Sequence, residues 1–289
     1  MLRAGNSFWI VLAGLWATCA YGSGAEVPVR VTTWNLQWFP NGSPREASAE
    51  EQSSRINEAA NILRPLNPDI VLLQEVRDYD ACVRLGEAIQ PAAYQVAICS
   101  AFSGRQQIAI MAKYQAQAAW AEQWKSMDGV DPPRGFAFAW FKVGKFDVGV
   151  YSLHLKSNLI VRGSRDVEAA KNIRKREIAI EQLLTHASNV IGLTIPAIRS
   201  LIIGGDFNTN HDQDMFSTEN TLKSLRDAGY QCGFEGLPLN ERITHPGNHG
   251  YPDATFDYLF TKCVHLKSII SRTSASDHFP VTLDLVLPQ

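Results

Sequence analysis

Leu201-Ile202-Ile203-Gly204-Gly205-Asp206-Phe207-Asn208-Thr209 is the stretch on which the reading of this chain turns. An apolar β-type run breaks at two glycines into a carboxylate and an amide. The pattern recurs, reversed, near the C-terminus, where Ser276-Asp277-His278-Phe279-Pro280 leads into Val281-Thr282-Leu283-Asp284-Leu285. Strand ends from distant parts of a chain can converge on one rim. Asp with Asn, joined by Asp with His, is the chemistry of a divalent cation beside a proton-transfer group. Two similar points lie upstream: Asn35 after the alternating run Val27 to Trp34, and Glu75 after Ile70-Val71-Leu72-Leu73-Gln74. This set predicts phosphate-ester hydrolysis.

Working outward, strands are expected over 27–34, 69–75, 94–99, 107–112, 137–143, 146–155, 200–204, 256–261 and 279–286. Gly144-Lys145 reads as a compact hairpin turn between two of them. Ile56, Ala59, Ala60 and Leu63 recur at helical spacing, and Pro65 and Pro68 close that helix. Further helices are expected over 81–89, 166–184 and 221–228. Strands outnumber helices without strict βαβ alternation. That pattern predicts an α+β fold, a sandwich of two mostly antiparallel sheets with helices packed outside. No repeat, low-complexity tract or linker divides 26–289, which reads as one domain.

The 289 residues are ample for a sizeable core, and 45% hydrophobic with 19% charged residues describes a globular chain. A net charge of -2 excludes a global basic field for passive nucleic-acid binding, though not local phosphate capture. Arg3, the apolar run Phe8 to Ala20 and the small residues Ser23 and Ala25 fit a cleaved export signal over 1–25. The expected location is therefore periplasmic or secreted, with no membrane anchor once the signal is removed. Beyond Cys19, four cysteines remain in an oxidising context: Cys82, Cys99, Cys232 and Cys263. Three pairings are open, and the local one, Cys82 with Cys99 and Cys232 with Cys263, needs the least rearrangement. Their wide spacing disfavours a zinc knuckle.

Six segments in order carry a resemblance: Thr33-Trp34-Asn35-Leu36-Gln37, Leu73-Gln74-Glu75-Val76, Ser152-Leu153-His154-Leu155, Gly205-Asp206-Phe207-Asn208, Phe256-Asp257-Tyr258-Leu259-Phe260 and Ser276-Asp277-His278-Phe279-Pro280-Val281. Together they resemble the endonuclease/exonuclease/phosphatase superfamily, over residues 31–286. Pancreatic-type deoxyribonucleases, abasic-site endonucleases, bacterial sphingomyelinases and inositol-polyphosphate phosphatases belong to that group. The resemblance implies a four-layer αββα sandwich and a hydrolase using Mg²⁺ or Mn²⁺. It makes Glu75 the principal metal ligand, with help from Asn35 and Asp277, and gives Asn35 a second task at the scissile phosphate. Asp206 would position the attacking water or a second metal, and Asn208 would contact the phosphate. Asp206 and Asn208, two apart on an extended segment, would face the same way.

His278 is the expected general base, or an imidazolium stabilising phosphorane charge, and Asp257 matches the acid that hydrogen-bonds it. His154 alone of the seven histidines sits inside an apolar strand. By resemblance it protonates the leaving oxygen, as in the deoxyribonuclease and sphingomyelinase branches, which tilts the reading toward a two-histidine phosphodiesterase. Arg134 stands at a strand start, where the deoxyribonucleases carry a phosphate-binding arginine. Where that branch has an acid supporting the first histidine, this chain has Gln106 and Gln107, which puts the orientation of His154 in question. Lys156, Arg162, Arg165, Lys171, Arg174, Lys175 and Arg176 form either a solvated helix face or a basic rim beside the site.

The favoured reading is an exported monomeric endonuclease acting on DNA or RNA, DNA preferred. A phospholipid phosphodiesterase of the sphingomyelinase type shares the same catalytic set; it needs an exposed aromatic hairpin, for which Trp120, Trp124 and Met127 are the candidates. The Trp-Cys-Asp-Arg signature of inositol phosphatases is absent from the sequence. A toxin subunit, or a non-catalytic binding module of the same fold, is the reading from another class.

Overall fold

The computed structural model describes residues 26–160, 162–195, 197–248 and 250–288. The expected export signal, 1–25, lies outside the described residues. In chain order the elements are β1 (Val27–Phe39), α1 (Ala49–Leu66), β2 (Ile70–Val76), α2 (Tyr79–Ala88), β3 (Gln95–Cys99), β4 (Gln107–Ala112), β5 (Ala116–Gln123), β6 (Gly135–Val143), β7 (Phe146–His154) and α3 (Arg165–His186). There follow β8 (Ser200–Asp206), α4 (Thr221–Asp227), β9 (Gln231–Cys232), β10 (Asp257–Thr261), β11 (Val264–His265), β12 (Ile269–Ile270) and β13 (Val281–Leu287). No helix among the described residues is long and apolar enough to cross a membrane.

Two sheets face each other. The first runs β11-β13-β1-β2-β4-β3, with β12 also on β13, and the second runs β5-β6-β7-β8-β10-β9. Each contains one parallel pair, β1 with β2 and β7 with β8, and the remaining neighbours are antiparallel. The parallel pairs need long crossovers, which α1 and α3 supply. Val31, Ile70, Leu72 and Ile110 from one sheet and Phe138, Val150, Ile202 and Leu259 from the other fill the space between. Ile56, Ala59, Ala60 and Leu63 of α1, with Ala81 and Leu85 of α2, cover the outer face of the first sheet. The expected α+β sandwich with outer helices is the observed architecture.

Local signals explain where elements outrun the sequence periodicity. Helix α1 starts at Ala49, ahead of its apolar stripe, because Ser48 and Glu51 form a reciprocal capping box. It ends at Asn67, whose left-handed conformation lets its N–H reach Leu63 O. Strand β5 carried no clear period in the sequence. It is a half-exposed edge strand, held by pairing with β6. Trp120, from β5, stacks on Phe138 with centroids 4.6 Å apart, and Trp124 lies 5.3 Å from Phe136. These tryptophans serve the core, so the aromatic hairpin sought for membrane insertion is not formed here.

The disulfide expectation is overturned: Cys82, Cys99, Cys232 and Cys263 are free thiols. Cys232 pairs with Phe260 across β9 and β10, which leaves Cys263 three positions further along the chain. At roughly 3.3 Å per strand residue, that exceeds disulfide reach. Cys82 and Cys99 hydrogen-bond as thiols, and that contact with burial raises the Cys82 pKa well above its ordinary value.

Candidate active site

The sheet registers build the centre of the site. His154, last residue of β7, is opposite Asp206, last residue of β8, and Asp206 is in turn opposite Asp257, first residue of β10. Three chemically active side chains thus stand in a row across one sheet end. The facing sheet contributes Asn35 from β1, Glu75 from a bulge in β2, and the 276–278 turn before β13. A cleft of about 990 Å³ opens over both sheet ends, and Glu75, Arg134, His154, Asp206, Asp277 and His278 all line it.

The backbone is held in unusual conformations at this rim. Gln37, Trp38, Glu75, Arg134 and Asn208 have φ of 49°, 53°, 59°, 65° and 53°, a region that disfavours side chains with a Cβ. At Glu75 the distortion coincides with the register shift between β2 and β4. It turns a residue next to a buried strand toward the rim. At Asn208 it ends the extended run, so the expected alternation with Asp206 does not hold. An Asx turn forms instead, with Asn208 N donating to Asp206 Oδ1 at 2.9 Å. Both residues still line the cleft.

Asn35 ties the two sheets together. Its Nδ2 donates to Asp206 Oδ2 at 2.9 Å and lies 3.4 Å from Glu75 Oε1, while its Oδ1 accepts from Gln37 N at 3.0 Å. Trp38 N donates to Glu75 Oε2 at 3.1 Å, and Gln37 Nε2 donates to Asp277 Oδ2 at 3.0 Å. Gln37 and Trp38 were not singled out in the sequence. Extended-strand spacing could not have found them, because both stand in the left-handed region where the strand pairing shifts register.

The two histidines are chemically different. His278 Nδ1 is 2.7 Å from Asp257 Oδ2, and its Nε2 points toward Asp206 Oδ2 at 3.9 Å. Burial alone would strip its proton, but Asp257 and Asp206 outweigh that and push its pKa up to about 10. Asp206, buried and close to Asp257 and Glu75, is itself pushed up to about 7 against the pull of His278 and Asn35. His154 Nε2 lies 3.5 Å from Asp206 Oδ2 and 3.8 Å from Glu75 Oε1. Burial, then the Arg134 and His278 charges, hold its pKa well below the ordinary value, so the ring is neutral and these approaches are not ion pairs. Its Nδ1 is buried without a partner. Gln107 gives it no help: its amide bonds Ser100, Phe102 and Gly104 instead.

Arg134 is partly structural. Its Nε donates to His154 O at 2.9 Å and its Nη2 to Leu155 O, which fixes the end of β7. Next to it, a Cβ on Gly135 would fall 1.8 Å from Glu122 O, so only glycine allows β6 to pair there. Asn208 Nδ2 also reaches Leu155 O, at 3.3 Å. Two residues invisible to motif reading support His278. Thr244 Oγ1 accepts from Asp257 N at 3.1 Å, and the His245 ring packs edge-on to His278 at 4.8 Å.

The basic segment divides. Arg176 is fully buried and bidentate with Glu219, at 2.7 and 2.6 Å, and Lys171 and Arg174 pair with acids on the helix surface. Arg162 and Arg165 line the cleft.

A divalent cation fits this donor set. Asp206, Asp257 and His278 have ligand atoms within 4.8 Å of one another, but Asp257 and the Nδ1 of His278 are already engaged with each other. The hard oxygens of Glu75, Asp206 and Asp277 are the better match for Mg²⁺. The raised pKa of Asp206 comes first from burial, with the Asp257 and Glu75 charges adding to it.

The model of the Endonuclease/Exonuclease/phosphatase family matches residues 32–278. No curated protein matches the chain. Among solved structures, TDP2 from C. elegans superposes with a TM-score of 0.62 at 17% identity, covering 90% of this chain and 75% of that one. An endonuclease/exonuclease/phosphatase from Beutenbergia cavernae DSM 12333 gives 0.65 at 17%, covering 90% and 72%. Beta toxin from Staphylococcus aureus gives 0.64 at 16%, covering 88% and 99%. At these identities the likeness is one of fold.

Proposed function

The chain belongs to the endonuclease/exonuclease/phosphatase family, and on that premise we propose that it is an exported, metal-dependent phosphodiesterase that hydrolyses nucleic acid, DNA in preference to RNA. The observation that carries this reading is the pair of unlike histidines either side of Asp206, one held at Nδ1 by Asp257 at 2.7 Å and the other kept neutral by burial. Groups with divergent protonation mark acid and base roles.

Mg²⁺ or Mn²⁺, held by Glu75 and Asp277 with Asn35 beside them, would neutralise phosphate charge and polarise the scissile bond. The remaining steps belong to the protein. Arg134 and Asn208 are anchored at the end of β7 by the His154 and Leu155 carbonyls, and their remaining N–H groups would meet the phosphate oxygens. Asp206, held by Asn35 between the two histidines, orients the attacking water and takes its proton. His278, carrying its proton, stabilises the charge that develops on the phosphorane. The sequence left His278 as either base or charge-stabilising imidazolium, and the second is the role proposed here, with the base role at Asp206. His154 faces the same centre and serves the leaving oxygen.

Beta toxin is among the structural neighbours, and the sphingomyelinase-type reading, a phospholipid phosphodiesterase, shares this catalytic set. The packed Trp120 and Trp124 count against it. The test is metal-dependent nicking of supercoiled plasmid, with sphingomyelin vesicles assayed separately, with and without EDTA. Nicking that needs both metal and His278 is the expected result. Headgroup release without nicking would overturn the nucleic-acid assignment.

A further inference from the structure

Residues 157–160 and 162–165, between β7 and the first turn of α3, form one wall of the cleft, and their chemistry is not that of the reacting centre. Ser157, Asn158, Leu159, Ile160, Arg162 and Arg165 all line the cavity. Both polar atoms of the Asn158 side chain are buried without a partner among the described residues. Asn210, on the adjoining loop and 3% exposed, likewise lines the cleft with an unpartnered Oδ1. Leu159 is 54% exposed, and Tyr251 stands on the cleft lining at 58%. Arg162 and Arg165 are exposed, whereas Lys171, Arg174 and Arg176 on the following helix each meet an acid.

Each class of group here has a natural counterpart. An amide with a free donor and a free acceptor matches a planar edge that offers an acceptor beside a donor, which is how nucleobases present themselves. Exposed apolar and aromatic surface matches a base face. Guanidinium groups match phosphates by charge and geometry. A choline headgroup offers neither donor nor acceptor to the two amides, and leaves them unsatisfied.

We propose that this wall, a strap of residues 157–160 and 162–165, reads an unpaired nucleotide: a base edge on Asn158 and Asn210, its face between Leu159 and Tyr251, and neighbouring phosphates on Arg162 and Arg165. A base paired in a duplex keeps a groove edge open but has both faces stacked, so a base gripped by its faces comes from a single strand, a frayed end or an extruded position. The inference rests on the nucleic-acid reading of the site.

The test uses the His278→Ala protein, so that binding is read without cleavage. The probes are a fluorescent DNA strand of about 12 nucleotides, its duplex, and the same strand with abasic residues. The single strand is expected to bind roughly tenfold more tightly than either. Asn158→Leu should bring the ratio of base-containing to abasic affinity close to one. The exposed double variant Arg162→Gln/Arg165→Gln should reduce the salt slope of single-strand binding by about 1.4, at roughly 0.7 per phosphate. Duplex binding as tight as the single strand, abasic binding equal to the base-containing strand, or an unchanged ratio in Asn158→Leu would each overturn the proposal. Wild-type protein with Mg²⁺ is assayed in parallel on bis(p-nitrophenyl) phosphate, which has no base. Silence there sinks the phosphodiesterase reading, while the binding arms still decide what the strap recognises.

Discussion

His154 and Asp206 are direct partners across the parallel β7–β8 pair, and their side chains approach to 3.5 Å between Nε2 and Oδ2. Asp257 extends the row as the antiparallel partner of Asp206. The catalytic spacing is therefore set by backbone hydrogen bonding in the second sheet, and anything that disturbs the ladder should disturb the chemistry.

Gly205 tests that dependence. Its φ is 146°, and a Cβ there would lie 2.1 Å from Leu153 O, on the strand that carries His154. Gly205→Ala must move β8 away from β7. Strain and overpacking together predict a loss of about 2–4 kcal/mol in denaturant unfolding. Activity per folded molecule should also fall by at least roughly tenfold, because small misplacements of reacting groups are costly. A stable, fully active variant would show that the β7–β8 register does not set the site.

Removing His278 should cost far more than disturbing its support. His278→Ala is expected to lower the hydrolysis rate by about 10²–10⁴, the range for one acid–base group. Asp257→Asn, which keeps the shape but loses the charge 2.7 Å from Nδ1, should give a smaller loss. A loss larger than that of His278→Ala would mean that Asp257 does more than support His278.

The pH dependence has a definite sign. His278 titrates near 6.5 when unfolded and at about 10 when folded. Its contribution to stability is therefore complete below about 6.5 and is lost as pH rises toward 10. Melting temperatures measured in EDTA should decline across that window. In Asp257→Asn this part of the decline should shrink, because burial then dominates the ring. An NMR titration placing His278 near 6.5 in the wild type would contradict the assignment.

Metal binding should be visible without turnover. Saturating Mg²⁺ is expected to raise the melting temperature of the wild type, since about 100 Kd of ligand adds about 2.7 kcal/mol. Glu75→Gln removes the carboxylate that faces Asn35, His154 and the Trp38 N–H, and the shift should disappear with it. An undiminished shift would place the cation elsewhere.

Arg176 and Glu219 are both fully buried and bonded bidentately, and Arg176 Nη1 also holds Lys156 O at 2.9 Å. Arg176→Met alone strands a buried carboxylate and should cost about 3–5 kcal/mol, whereas adding Glu219→Leu should recover most of that loss. If the double variant is as unstable as the single, the pair contributes more than mutual neutralisation.

Much of this protein was legible before folding was considered. Apolar runs ending in Asn35, Glu75 and Asp206, and one beginning at Asp257, showed which residues would stand at strand ends. Those are local regularities of period two and 3.6, written directly into side-chain order. The inner face of α1 was readable for the same reason. Strand β5 was not, because its residues are half exposed on an edge and carry no clean alternation. The Cys232–Cys263 pairing failed because closeness in sequence says nothing about strand register.

The sequence by itself determined the order of the motifs, the family and the cast of reactive groups. Only the tertiary structure decided their roles. Two identical imidazoles diverge because His278 meets Asp257 and Asp206 while His154 meets burial and the Arg134 charge. Arg176, one basic residue among seven in its segment, leaves the surface for a buried acid, and Arg162 and Arg165 remain at the cleft. Protonation and charge pairing depend on desolvation and on charges within a few ångströms through space. Residues far apart in the chain, such as Asn35 and Asp206, 171 positions apart, become neighbours only when the two sheets close.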